Sequence, residues 1–90
     1  MAEVVLVDHP GMTQELYDKV TEILGPALPE GCQAHIAGPG PNGWRVITVW
    51  DSMEVAGAYI QGTLNPVFEE AGVPPLPGPP ASWPLHRLVS

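Results

Sequence analysis

The chain has 90 residues, ten acidic against three basic, and a formal net charge of −7. The bases Lys19, Arg45 and Arg87 are scattered and form no patch for a phosphate backbone or an anionic membrane surface, so nucleic acid and membrane are not expected partners. Cys32 is the single cysteine, which excludes an intrachain disulfide and a cysteine-built zinc site.

The length suits one domain, residues 1–90. A chain this short buries only ~60–65% of its unfolded surface, so a second subunit would add needed burial. No apolar run is long enough to span a bilayer. The start, Met1-Ala2-Glu3-Val4, lacks the positive charge and apolar core of a secretion signal, and the expected location is cytoplasmic.

In chain order, Glu3–Asp8 is a short apolar run that reads as a buried strand, broken by His9-Pro10-Gly11. Thr13 is placed to cap a helix, with Met12 stapled onto Tyr17. Leu16, Val20, Ile23, Leu24 and Ala27 recur at helical spacing, and Gly25-Pro26 ends the helix. Cys32–Ala37 reads as a second strand. Gly38 to Gly43 reads as a hairpin loop, Asn42-Gly43 favouring the positive φ of tight turns.

Gly43–Ser52 gives the best strand signal, dense in β-branched and aromatic residues. Trp44, Val46, Thr48 and Trp50 share one face; Arg45, Ile47 and Val49 share the other. Both faces are mostly apolar, so both should be covered. Asp51 or Ser52 is placed to cap a second helix from Met53, with Glu54 reaching back in a capping box. Gly62-Thr63 should interrupt this helix, Pro66 restart it, and Gly72 stop it. Val73 to Pro84 is proline-rich and reads as an extended connection, followed by a last strand, Leu85–Val89.

The resulting order, β-α-β-β-α-(α)-β, is the ferredoxin-like pattern: an α+β domain with a four-stranded antiparallel sheet and helices on one face. The other, apolar face should meet its copy in a homodimer.

Candidate chemistry is sparse. His35 and His86, both read as strand residues, are the candidate catalytic groups, because histidine titrates near neutral pH. Trp50 and Trp44 offer aromatic walls for a flat ligand, with Thr48 and Tyr59 as further substrate-binding candidates. If Ala37 lies opposite Trp44, His35 falls opposite Val46 and shares a face with Thr48 and Trp50. His9 reads as a solvated loop residue, and Cys32 as a small buried residue rather than a nucleophile. No metal-ligand spacing, Ser-His-Asp order or nucleotide-binding glycine fingerprint stands out.

Three strings, His35-Ile36-Ala37-Gly38, the Gly43–Ser52 run and Leu64-Asn65-Pro66-Val67-Phe68, resemble the small dimeric α/β-barrel proteins near the antibiotic-biosynthesis monooxygenases. The resemblance spans Val4 to Val89 and rests on strand and cap patterns. It implies a dimeric α/β barrel that holds a hydrophobic or aromatic small molecule between sheet and helices. It also implies a cofactor-free monooxygenase of polyketide-type metabolism. A cyclase or isomerase using the same pocket is the alternative, as is a non-catalytic dimeric module that binds a small ligand or stabilises a partner. The haem-degrading relatives carry an asparagine on strand one and a histidine in the second helical region. This chain has Val5, Leu6 and Val7 in the first place and no histidine between Met53 and Gly72, so haem is not expected.

Overall fold

The computed structural model describes residues 2–74 and 80–89. The elements are β1 (Glu3–His9), α1 (Gln14–Leu24), β2 (Cys32–Gly40), β3 (Gly43–Trp50), α2 (Met53–Tyr59), a π-helical turn (Ile60–Leu64), α3 (Asn65–Ala71) and β4 (Ala81–Pro84). They build an α+β unit around a four-stranded antiparallel sheet of order β2-β3-β1-β4.

The caps explain where the helices start. Thr13 Oγ1 accepts from the Leu16 N–H at 3.2 Å, and Met12 and Tyr17 join the same core cluster, as a staple requires. At α2 the cap is Ser52, whose Oγ accepts from the Val55 N–H at 3.2 Å. With Ser52 in that role Glu54 falls one position short of the box, so the expected capping box does not form. Asp51 instead accepts from the Gln33 amide at 2.9 Å. Gly72, left-handed at φ 78°, closes α3, and the Val73 N–H returns to the Phe68 carbonyl at 2.8 Å.

Three expectations are corrected. The hairpin is tight: β2 runs on through Gly38, Pro39 and Gly40, and the turn is only Pro41-Asn42, with Gly40 opposite Gly43. An edge strand tolerates Pro39 because one side of it has no ladder to complete. Positive φ falls on Gly43, not Asn42. At φ 118° a Cβ on Gly43 would also lie 2.5 Å from the His9 carbonyl oxygen, so glycine is required twice over.

Gly62-Thr63 does not break the second helix. The chain widens there into a π turn, the Asn65 N–H reaching back to the Ile60 carbonyl. Proline has no N–H and crowds the carbonyl one turn behind it, and the widened turn lies just ahead of Pro66.

The last strand is Ala81–Pro84, not Leu85–Val89. It pairs with β1 from Leu6↔Ala81 to Glu3↔Pro84, and the Leu85 N–H reaches the Ala2 carbonyl at 2.9 Å. As an edge strand with one neighbour it accepts a proline. The proline-rich connection expected before it lies partly outside the described residues.

Pair parity sends Trp44, Val46, Thr48 and Trp50 to the helix side of the sheet, with His9, Val7 and Val5 opposite on β1. On the other side lie Val4, Leu6, Ile36, Ile47, Val49 and Trp83. Val4 and Val49 are buried, whereas Ile36 is 60% and Trp83 45% exposed. The Arg45 guanidinium grips Asp8 on this face, Nε to Oδ1 at 2.7 Å and Nη2 to Oδ2 at 2.9 Å.

Candidate functional site

On the helix side the core is divided. One buried cluster gathers Met12, Val20, Trp44, Ala71 and Val73; the other gathers Val5, Cys32, Trp50 and Ala56. A cavity of about 440 Å³ is lined by members of both clusters, within the range of small-molecule sites. Its floor is β1, β2 and β3. Its roof comes from α1, the loop from Gly25 to Pro29, and Tyr59, Ile60, Leu64 and Phe68.

The register that builds the floor differs from the expected one by two residues. Pro39 pairs with Trp44, Ala37 with Val46 and His35 with Thr48. A shift of two keeps every side chain on its face, so His35 still shares one with Thr48 and Trp50. A second irregularity adds Cys32. The pairing skips Gln33, Cys32 standing opposite Trp50 and Ala34 opposite Val49. In a regular strand residues three apart face opposite ways; this bulge turns Cys32 and His35 into the same cavity.

The walls are aromatic at both ends. Trp50 lies against Tyr59 and Tyr17 against Trp44, each with ring centroids 5.2 Å apart. Trp50 is anchored, its Nε1 donating to Thr48 Oγ1 at 2.8 Å. Trp44 is not: among the described residues, its indole Nε1 is the buried side-chain nitrogen or oxygen without a hydrogen-bond partner.

The polar chemistry centres on His35. Its Nε2 lies 2.6 Å from the Tyr17 hydroxyl, and both rings line the cavity. His35 is solvent-exposed on its other side, yet partial desolvation holds its pKa below the ordinary histidine value. Burial, helped by the charge of Asp18, raises the Tyr17 phenol above its ordinary value, so it carries its proton at neutral pH. Burial raises the Tyr59 phenol and the Cys32 thiol as well, and Cys32 is a thiol rather than a thiolate.

His35, Trp44, Thr48, Trp50 and Tyr59 thus line one cavity. His86 does not join them: it is exposed beyond the end of β4 and off the strand assigned to it. His9 is not solvated. It is 3% exposed, its Nδ1 accepts from the Gly11 N–H at 3.1 Å, and its Nε2 bonds the Pro74 carbonyl at 2.8 Å. Those contacts fix the tautomer, the proton on Nε2. Tyr17 is the residue the sequence hides, because its position accounts fully for a helix staple. Its alignment with His35 arises only when α1 folds over β2.

Among the described residues no group of three or more His, Cys, Asp or Glu side chains is arranged to hold a metal ion. Among the described residues no helix is long and apolar enough to cross a membrane. No known family model, curated protein or solved structure matches the chain.

Proposed function

We propose that the chain binds an apolar aromatic small molecule between its sheet and its helices and acts on it by proton abstraction, as a cofactor-independent monooxygenase of polyketide-type metabolism. The observation that carries this is the His35–Tyr17 pair, set at 2.6 Å on the wall of an otherwise largely apolar, two-ended aromatic cavity. A base beside a low-dielectric pocket removes an activated C–H proton and leaves its electron pair on carbon. The carbanion, delocalised through the aromatic system, then reduces oxygen. For an anthrone the balance is one anthrone and one O₂ to one anthraquinone and one water. Trp44, Thr48, Trp50 and Tyr59 form the walls in this reading, and His86 has no part in it.

The ferredoxin-like, dimeric α/β-barrel reading belongs to the same proposal. The strand order β2-β3-β1-β4 supports the first part. The exposed Ile36 and Trp83 on the sheet face away from the helices support the second, because an exposed apolar patch invites a matching one. Light scattering at micromolar concentration is expected to give twice the chain mass; a monomer mass overturns the dimer.

The activity test is oxygen uptake with purified protein and anthrone, without added cofactor. Quinone formation beyond the uncatalysed rate supports the oxygenase. Rearrangement or ring closure of the substrate without oxygen uptake moves the assignment to a cyclase or isomerase in the same pocket. Tight binding without any turnover moves it to a binding module.

A further inference from the structure

We propose that Tyr17 is a catalytic residue, and that Tyr17 and His35 form a proton path between the cavity and solvent. The proposal rests on the proton-abstraction reading above and adds to it the group that meets the substrate and the route by which the proton leaves.

Three placements carry the argument. Tyr17 packs its ring against Trp44 in the cavity wall, centroids 5.2 Å apart, so the phenol stands at the border of the space where a flat ligand would lie. His35 is on the edge strand and exposed, so its ring borders bulk water. Between them is a single short contact, Tyr17 Oη to His35 Nε2 at 2.6 Å, within the range of a strong O–H···N bond. A phenol that keeps its proton is the donor in that bond, which makes Nε2 the acceptor and puts the imidazole proton on Nδ1.

The step that follows is balanced. As the substrate C–H proton moves onto Tyr17 Oη, the phenol's own proton moves along the existing bond to His35 Nε2. The C–H electron pair stays on the substrate as a carbanion. Tyr17 is neutral before and after, and the positive charge appears on His35. The imidazolium then gives its Nδ1 proton to water, and proton exchange with water moves the remaining proton from Nε2 to Nδ1, restoring the starting tautomer. No oxidant is consumed in this step; oxygen enters only afterwards, with the carbanion. Asp18, beside Tyr17 on α1, acts on the phenol, and its negative charge helps Tyr17 keep its proton.

The test separates this path from the oxygenase reading. Under nitrogen, exchange of anthrone methylene protons with D₂O reads proton transfer alone. The wild type is expected to accelerate it. Tyr17→Phe, which keeps the ring and its packing, is expected to slow it at least tenfold, with anthrone binding within a factor of a few. His35→Gln should slow it as well, and added imidazole should restore part of the loss, because the solvent edge is accessible. Exchange without aerobic oxygen uptake supports the path and removes the oxygenase. Oxygen uptake with Tyr17→Phe as fast as wild type overturns the path and leaves the oxygenase. A second measurement needs no substrate: ring nitrogen NMR of the ligand-free protein should show His35 Nε2 as an unprotonated acceptor at neutral pH, altered in Tyr17→Phe. A protonated Nε2, or a spectrum indifferent to Tyr17→Phe, overturns the proposal even if anthrone proves to be the wrong probe.

Discussion

The Trp50 indole donates to the hydroxyl of Thr48, two residues back on the same strand and the same face, at 2.8 Å. Trp50 is 3% exposed, so this bond is what makes its buried nitrogen tolerable. Thr48→Val keeps the shape and removes the acceptor. It is expected to cost about 1–3 kcal/mol, the usual penalty for a stranded buried donor. Thr48→Ser should recover most of that. Urea midpoints measure both, and a Thr48→Val midpoint equal to wild type would mean that Trp50 finds another acceptor.

Trp44 gives the opposite case. Its buried N–H has no partner, so replacing the indole by a benzene ring removes a liability along with some packing. Trp44→Phe is expected to be less damaging to the free protein than Trp50→Phe, by at least about 1 kcal/mol. Thermal or chemical denaturation of the two variants checks the order; equal losses would contradict it.

The start of α2 depends on one hydroxyl. Ser52→Ala should cost about 1 kcal/mol. Asp51→Ala should cost less, since its partner Gln33 is exposed and an exposed polar contact contributes little. A larger loss at Asp51 than at Ser52 would move the cap one residue back.

Acid should weaken the fold in two separate windows. The His35 pKa is lowered by desolvation, so as pH falls below the ordinary value of 6.5 the unfolded chain takes up a proton that the folded chain resists. Stability is therefore lost through that range until the folded group also titrates. The Asp8 carboxyl is held down by its hydrogen bond to Arg45 and by the guanidinium charge. Its contribution is complete above the ordinary value of 3.8 and disappears as pH falls through the lower folded value. Asp8→Asn should flatten the acidic window and leave the neutral one; His35→Gln should do the reverse. Denaturant midpoints against pH distinguish them.

Much of this architecture can be read from local chemistry. Thr13, Ser52 and Gly72 sit where caps and stops must, and the alternation of Trp44 to Trp50 assigns the faces of β3. That alternation sets Trp44, Thr48 and Trp50 on one face, but only the packing of the helices makes that face the cavity wall. Other features depend on pairing that no single stretch contains. The bulge at Gln33 exists only in relation to β3. The strand at Ala81–Pro84 is composed like a loop, and becomes a strand because β1 has a free edge beside it. Tyr17 and His35 meet across 18 positions of sequence, and neither residue alone signals the other. His9 reads as solvated because its neighbours are turn formers, whereas its surroundings are Phe68 and the Pro74 carbonyl, far along the chain.

The π turn sets the rotational phase of the second helical run. Successive α-helical residues are about 100° apart around the axis, so one extra residue in a turn rotates everything after it by about that angle. Val67, Phe68 and Ala71 reach the core only with the rotation that Ile60–Leu64 supplies. Removing one residue, such as Gly62, would take away that rotation, set Pro66 against the carbonyl one turn behind it, and turn those three side chains away from Trp44 and Met12. Such a variant should lose cooperative unfolding. The length of this segment is thus a constraint in its own right, separate from the identity of its residues.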